Sequence, residues 1–555
     1  EALYPPDAVD EGARQRRFLL LHRDRRLSDT EQCWMGWERK RGKLEQLIDL
    51  LAGGLSGFVD LGPRSKPAPD TPFVVTLDSD TLLPPGALRE LVGVAAHPLN
   101  RPRVDAARGC VIAGYAVLQP RIVTPLPSPL HATPFHTLFA GRCGVDPYSA
   151  ETSELYQDLF DEGTFTGKGL FHVKAMQAVL SGRLPEGQVL SHDLIEGSIA
   201  RCGGVSDITL IEDAPMHADV AASRVHRWTR GDWQLWPLLW RARRFDLNAI
   251  NRWKMIDNLR RSLVAPFSVV LLLVALGSDL LSPWGVLALM AAAFGGGPLL
   301  GALAGMAPAR DDLALRHFYH QGLVDIGRAL GGMLWNLALL LRNALHLCDA
   351  IVRALWRTAI SRRRLLQWTT AADAQSAARH SLTGLWRVHW PVSALAVGVC
   401  ALLWWRGTSS PWLALSMCAL WAGTPLWIGL ASRASAHRHR YRMAGGDRAY
   451  LLDVARHTWR LFERHVGPAS NYLPPDNVQT VPYTMVAQRT SPTNIGLYLL
   501  STACARRFGW ISTLELLTRC ERTLATLAVL PRHRGHFLNW YDTQSLVPLA
   551  PAYVS

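Results

Sequence analysis

The sequence predicts three parts in order: an α/β domain, a group of membrane-spanning helices, and a second soluble, mainly helical segment. Short apolar runs alternate with amphipathic helical patterns up to about residue 240, which is typical of α/β domains. Long apolar runs follow after residue 261, and a soluble composition returns near residue 450. We therefore divide the chain into residues 1–240, 241–445 and 446–555. With 555 residues, 49% of them apolar and 19% charged, it is neither disordered nor a small disulfide-stapled domain.

The first part contains four runs predicted as strands and two stretches predicted as helices. The strands are residues 18–21, 73–77, 111–119 and 208–211, and the helices are residues 42–51 and 86–95. This alternation predicts a mainly parallel sheet covered by helices. Ligands of such sheets bind at the carboxyl ends of the strands. Residues that directly follow a strand are therefore the first candidates for a functional site.

The second part contains four apolar runs that are long enough to cross a bilayer. They cover residues 262–277, 283–306, 388–405 and 411–432. Each is close to the ~20 residues that a spanning helix needs, and tryptophans at several ends fit interfacial anchors. Buried core helices are the alternative, but these runs lack a polar face. We expect about four membrane-spanning helices and a lipid bilayer as a partner.

Arginines between and after these runs predict the orientation in the membrane. They are Arg353, Arg357, Arg362, Arg363 and Arg364 between the second and third runs, and Arg433, Arg438, Arg440 and Arg442 after the fourth. The positive-inside rule places both segments in the cytoplasm. An even number of crossings then places the first and third parts there as well.

Two further segments mix apolar and basic residues beside the spans. Residues 323–357 carry four arginines among apolar stretches, which predicts an amphipathic helix lying on the membrane. A fifth span is the competing interpretation. Residues 240–260 are predicted to form a similar interfacial helix that leads into the first span.

The net charge of +14 allows nucleic acid, an anionic membrane face or a phosphorylated substrate as a partner. Much of this charge flanks the apolar runs, and the sequence shows no nucleic-acid recognition module. We therefore expect no nucleic-acid partner. The nine cysteines are scattered without a C-x-x-C pair, which favours a reducing compartment over a disulfide framework or a zinc ribbon. The chain opens at Glu1 without a visible signal peptide, and we expect it to be a fragment.

The strand predicted at residues 73–77 runs into Asp78-Ser79-Asp80. Carboxylates at i and i+2 lie on one side of the chain if the extended geometry continues. There they can share a hard cation with a diphosphate. Such pairs are also common on protein surfaces, so it is the position after a buried strand that favours a metal site.

Two other motifs each allow a structural and a chemical interpretation. Asp193, in Ser-His-Asp, precedes a helical stretch and is either a first-turn carboxylate or a general base for an attacking hydroxyl. Arg224 and Arg227 are three residues apart and share a helix face, where they could clamp a diphosphate. The alternative for this helix is a basic surface against lipid headgroups, with Trp228 as an interfacial anchor.

In this order, the motifs resemble the D-x-D, (E/T)-D and Q-x-x-R-W series of processive GT-A glycosyltransferases, ahead of membrane spans. The phrases TLDSDT, FTGKGLF, SHDLIEG and VHRWTRGDWQL resemble cyclic β-1,2-glucan synthases more closely, and the resemblance covers nearly the whole chain. It implies a partial GT-A-like fold in residues 1–240. It also implies that residues 446–555 are the start of a glycoamylase-like (α/α) toroid.

The resemblance implies a division of roles between the carboxylates. Asp78 and Asp80 would hold Mg²⁺ or Mn²⁺ against the diphosphate of UDP-glucose. Asp193 would deprotonate the 2-hydroxyl of a glucan acceptor. Because one base, one metal and cations at the leaving group are sufficient for inversion at the anomeric carbon, a covalent nucleophile is unnecessary.

It also assigns roles to basic and aromatic side chains. Arg227, with help from Arg224, would stabilise the departing UDP, and Trp228 would stack on the acceptor sugar. Lys43 resembles a basic residue that lines the donor pocket, and Lys168 lies in a Gly-Lys-Gly loop near the acceptor. Arg224 stands where the broader pattern has Gln, which puts an acceptor contact made by that Gln in doubt.

The resulting expectation is an inverting, metal-dependent glucosyltransferase that makes β-1,2-glucan at the cytoplasmic face of a bacterial inner membrane. The same machinery making a β-1,3 or β-1,4 linkage is one alternative, and a non-catalytic, glucan-binding membrane scaffold is another. In the third part, Asp476 in Pro-Pro-Asp-Asn is predicted as a turn residue rather than a catalytic acid. The resemblance implies that the opening β-α-β unit and most of the toroid lie outside the chain.

Overall fold

A computed structural model describes residues 18–68, 70–125, 132–139, 155–240, 247–307, 315–433 and 445–554. The chain divides into two compact units, Glu1–His437 and Arg438–Ser555, which are described separately. Arg438, Arg440 and Arg442 of the orientation argument, and residues 241–246 of the predicted interfacial helix, lie outside the described residues.

The first unit begins with an α/β region. Its strands are β1 (Arg25–Ser28), β2 (Cys33–Gly36), β3 (Phe73–Thr76), β4 (Thr81–Leu82), β5 (Arg103–Asp105), β6 (Cys110–Ala113), β7 (Val117–Val123), β8 (Gly169–His172) and β9 (Cys202–Glu212). Its helices are α1 (Arg39–Leu51), α2 (Ala87–Ala96), α3 (Pro134–Phe139), α4 (Leu155–Phe160), α5 (Val173–Leu180), α6 (Asp193–Ile199), α7 (Ala218–Gln234) and α8 (Trp236–Trp240).

The central sheet has five strands in the order β3-β8-β7-β9-β4. Only β7 and β9 pair in parallel, whereas β3–β8, β8–β7 and β9–β4 are antiparallel. The prediction of a mainly parallel sheet is therefore wrong, and the sheet is mixed. Apolar patterning reports which residues are buried but not which way a strand runs, so the alternation with helices could not reveal the antiparallel strands.

The predicted positions of strands and helices agree better with the structure. Residues 73–76 and 208–211 are strands, and α1 and α2 cover the predicted helices. The strand predicted at 111–119 is split into β6 and β7, because Gly114 has φ +63° and turns the chain between them. Residues 18–21 do not form a strand. Phe18 and Leu20 are exposed there, and the Leu20 amide donates a hydrogen bond to the Arg64 carbonyl.

The apolar core of this region lies between the sheet and helices α1, α5 and α6. It continues into a helix of 29 residues, Ala249–Gly277, whose Met255 belongs to the same core. Lys254 of this helix is almost fully buried, and its Nζ donates to the Gly163 carbonyl at 2.8 Å. Residues 249–260 therefore form one helix with the first predicted span, as expected of a segment that leads into it, and they also pack on the α/β region; their interfacial position stays a prediction.

Among the described residues, three helices are long and apolar enough to cross a membrane, namely Ala249–Gly277, Pro283–Ala304 and Leu382–Arg406. They contain the first three predicted runs. The fourth run forms a pair of helices, Pro411–Ala422 and Thr424–Ala431, bent by 54°. The segment predicted as amphipathic falls in another pair, Phe318–Ala338 and Leu340–Ser361, bent by 66°. Counting each pair as one span gives up to five crossings, so the fifth-span interpretation stays open.

The bends free backbone carbonyls that need partners, because lipid offers no hydrogen bonds. At the first bend, between Ala338 and Leu340, the indole of the fully buried Trp421 donates to the Leu337 carbonyl at 3.1 Å. At the second bend, between Ala422 and Thr424, the Ser393 hydroxyl donates to the Ala422 carbonyl at 2.7 Å. Side chains from neighbouring helices therefore satisfy carbonyls at both bends.

The second unit contains the helices Gly445–His465, Pro492–Arg507 and Thr513–Val529 with short paired strands between and after them. The first two helices share a core formed around Trp459, Phe462 and Tyr498, which agrees with the mainly helical character predicted for this part. Asp476 lies in a loop and accepts hydrogen bonds from Arg489, as expected of a structural residue. The toroid remains a prediction.

Candidate active site

Asp78 lies two residues beyond the end of β3, and two lysines contact its carboxylate. Lys40 Nζ lies 2.6 Å from Oδ1, and Lys168 Nζ lies 3.5 Å from Oδ2. Burial opposes ionisation of this carboxyl group, but the two ammonium groups outweigh it and lower the pKa of Asp78. Asp78 is therefore an anion already surrounded by positive charge.

Asp80 has a different environment, although only one residue separates it from Asp78. The Thr81 amide donates to the Asp78 carbonyl at 3.1 Å, so the chain turns here and does not stay extended. Asp80 is exposed in this turn. The condition under which both carboxylates would lie on one side of a strand is not met.

Lys168 connects Asp78 to a carboxylate that the sequence analysis did not single out. Glu212, the last residue of β9, is buried and contacts Lys168 through one oxygen and Arg224 through the other. It also pairs with Thr81 across β4 and β9. The signal was available, because Glu212 directly follows the strand predicted at residues 208–211.

Gly167 is the point at which distant parts of the chain meet. Its carbonyl accepts a hydrogen bond from Lys40 Nζ at 2.9 Å. Its φ of +97° favours glycine, and a Cβ added there would lie 2.9 Å from Asp193 Oδ1. The structure therefore brings together Asp78, Lys168 and Asp193 around this backbone.

Asp193 is the first residue of α6, as the structural interpretation expected. However, its Oδ1 is buried and forms no hydrogen bond within the described residues, so this oxygen does not cap the helix. An unpartnered carboxylate oxygen can accept a proton from a bound hydroxyl group. The first-turn position of Asp193 is confirmed, and its role as a general base stays a prediction.

His192 lies beside Asp193 and was missed by the sequence analysis. Its Nδ1 is 2.9 Å from Glu196 Oε2 and 3.6 Å from Asp193 Oδ1. Burial disfavours the imidazolium, but Glu196 and Asp193 together raise the pKa of His192 to about 8. The ligand atoms of the three residues lie within 4.8 Å of one another and could hold a cation. We interpret the group as an ion pair, because Glu196 already neutralises the imidazolium.

Helix α7 brings arginines to the same site. The side chain of His217 caps its amino end by accepting from the Asp219 amide at 3.1 Å. Burial, and then Arg224, lower the pKa of Arg227. The carboxylates of Asp193 and Asp78 act in the opposite direction, so both are within electrostatic range of this guanidinium.

The aromatic residues near α7 differ in accessibility. Trp228 is 39% exposed, and the Arg224 guanidinium lies 5.4 Å from its ring centroid. Arg227 lies instead 4.6 Å from the ring centroid of Trp368, which the sequence analysis did not consider. An exposed indole beside the catalytic candidates is available for stacking on a ligand.

Lys43 does not contact Asp78 among the described contacts, although it lies on the correct helix. It is exposed on α1, whereas Lys40, three residues earlier, makes the contact with Asp78. The basic phrase Arg-Lys-Arg-Gly-Lys gave the right segment, but the residue that reaches the site depends on how α1 is rotated against the sheet.

The site therefore combines carboxylates with lysine and arginine side chains at the edge of a mixed sheet, in one compact unit with helices long and apolar enough to cross a membrane. This arrangement defines a membrane-attached α/β domain with a site suited to an anionic substrate. No family model matches the chain. The chain is 42% identical over 544 residues, or 97% of its length, to the cyclic beta-(1,2)-glucan synthase NdvB of Rhizobium meliloti (strain 1021). It spans 19% of the length of that relative. The resemblance stated from the motifs is confirmed.

Proposed function

We propose that this chain is the glucosyltransferase region of a membrane protein that polymerises glucose from UDP-glucose into β-1,2-glucan. The observation that carries the proposal is the convergence of Lys40, Asp78, Lys168 and Asp193 around Gly167. These residues are far apart in sequence and supply the charges that transfer from a sugar nucleotide requires. The similarity to a protein described as a cyclic β-1,2-glucan synthase supports the choice of linkage.

The donor diphosphate binds beside Asp78 in this proposal. The turn at Thr81 does not hold Asp78 and Asp80 on one side of a strand, but Asp80 is exposed and makes no ion pair among the described contacts, so its carboxylate is accessible to Mg²⁺ or Mn²⁺. Asp78 and Asp80 would hold this cation together with the donor, and the cation would supply positive charge against the diphosphate. Lys40 and Lys168 lie against Asp78 and are close enough to turn toward phosphate oxygens when the donor is present.

Asp193 acts as the general base. Its Oδ1, which accepts no hydrogen bond among the described residues, takes the proton of the acceptor's 2-hydroxyl while the hydroxyl oxygen attacks the anomeric carbon of the donor glucose. The bond between the anomeric carbon and the diphosphate breaks on the opposite face, and UDP leaves with the bonding electrons. The configuration is inverted, and the proton remains on Asp193.

Arg227 stabilises the negative charge that develops on the leaving diphosphate, and Trp228 stacks on the acceptor sugar. Arg224 adds a second guanidinium on the same helix face, although Glu212 already neutralises the charge of Arg224. The basic residues between the membrane helices favour a cytoplasmic position for the site, and we place the protein in a bacterial inner membrane.

Membranes that contain the full-length protein test the proposal. Radiolabelled UDP-glucose should be incorporated, in a metal-dependent reaction, into a glucan whose residues are 1,2-linked by methylation analysis. Asp193→Asn should abolish this incorporation. A 1,3- or 1,4-linked product would refute the linkage. Binding of glucan without incorporation of label would favour a non-catalytic scaffold, and normal turnover in Asp193→Asn would exclude Asp193 as the base.

A further inference from the structure

Three arginines lie one turn apart on α7, and their side chains have different partners. Arg224 forms an ion pair with Glu212, and Arg230 donates to the Gln367 carbonyl at 2.6 Å. The described contacts of Arg227 include no hydrogen bond and no ion pair. Its contact is the face of the Trp368 ring, 4.6 Å from the guanidinium carbon. Arg227 is therefore the arginine of this face whose N–H donors are uncommitted.

Trp368 belongs to a segment, residues 364–368, that the fold holds firmly against the α/β region. The Leu366 amide donates to Glu31 Oε1 at 2.8 Å, and Gln234 of α7 donates to the Leu365 carbonyl at 2.9 Å. The side chains of Leu365 and Leu366 are buried. The backbone that carries Trp368 is thus anchored to Glu31 and to α7.

The kind of contact matters for the chemistry. A carboxylate partner would hold Arg227 as well, but it would neutralise the guanidinium and occupy its donors. An aromatic face restricts the guanidinium plane and leaves all N–H groups available to phosphate oxygens. Asp78 and Asp193 are within electrostatic range but form no ion pair with Arg227 among the described contacts.

We propose that Trp368 is a positioning residue for glucosyl transfer, which orients Arg227 toward the diphosphate of the donor through its ring face. The proposal rests on the proposed function, because it requires Arg227 to meet a diphosphate. Trp368 itself touches no reacting atom. The competing explanation is that the indole only packs against α7 and does not orient Arg227.

Graded substitutions separate these explanations. Trp368→Phe keeps an aromatic face and should retain kcat/KM for UDP-glucose within about twofold, whereas Trp368→Leu keeps apolar volume and should lose about five- to tenfold. Trp386→Leu, at an exposed tryptophan of the helix Leu382–Arg406, is the matched control and should behave like the parent protein. Equal losses in Trp368→Phe and Trp368→Leu would overturn the proposal.

The dissociation constant for UDP in the detergent-solubilised full-length protein gives the second readout. Trp368→Leu should weaken UDP binding in the parent but cause no further change in an Arg227→Ala background, because the effect passes through Arg227. The same weakening in both backgrounds would refute positioning. A parent that binds UDP but transfers no glucose would refute the proposed function alone, since the binding comparison still tests the role of Trp368.

Discussion

Replacement of Gly167 by Ala tests whether the backbone at this residue sets the geometry of the site. At φ +97° an L-residue costs about 1–2 kcal/mol of stability. The added methyl carbon would also lie 2.9 Å from Asp193 Oδ1, about half an ångström inside ordinary contact. The carboxylate must move, and such a displacement at a reacting group lowers the rate by up to about 10²-fold. We expect activity to fall by about that factor.

Gly53→Ala provides the matched control for this experiment. Gly53 has φ +91°, but a Cβ added there would meet nothing within 4 Å. Both variants should lose similar thermal stability, whereas only Gly167→Ala should lose incorporation of glucose from UDP-glucose. If Gly167→Ala and Gly53→Ala retain the same activity, Asp193 is not confined by Gly167 in the way described.

Three other predictions follow from the charged groups of the site. Because the pKa of His192 is raised to about 8 from 6.5, its ion pair with Glu196 should stabilise the fold by about 2 kcal/mol below pH 6.5. This contribution should fade as pH rises through 8, and His192→Gln should remove that pH dependence from thermal unfolding curves. In Glu212→Gln, Lys168 and Arg224 lose the carboxylate that they share. This should lower the free energy of unfolding by about 3 kcal/mol, measured by denaturation in detergent. Asp78→Asn should reduce glucose incorporation by about 10²-fold at low Mg²⁺ or Mn²⁺ and recover in part as metal is added, because one ligand of the cation is lost; equal activity of parent and variant at every metal concentration would contradict the assignment.

The sequence was informative where local patterns carry the signal. The run ahead of Asp78, the helix start at Asp193 and the spacing of Arg224 and Arg227 could be recognised without coordinates. The structure joins them through contacts of Gly167, Lys168 and Glu212, which the order of the motifs along the chain did not require.

Other features depend on information that a single sequence does not contain. The choice of Lys40 over Lys43 depends on the rotation of α1 against the sheet, and the antiparallel strands could not be separated from parallel ones by apolar patterning. The contact between Trp368 and Arg227 joins residues 141 positions apart, counted from their numbers, with membrane helices between them. No periodicity reports a contact of that kind.

The two bends in the membrane-embedded helices are not independent of each other. Trp421 supplies the indole donor for the Leu337 carbonyl, and its own carbonyl accepts a hydrogen bond from the Thr424 hydroxyl at 2.7 Å. One residue thus takes part in both bends. A displacement of Trp421 would therefore disturb hydrogen bonds at both bends.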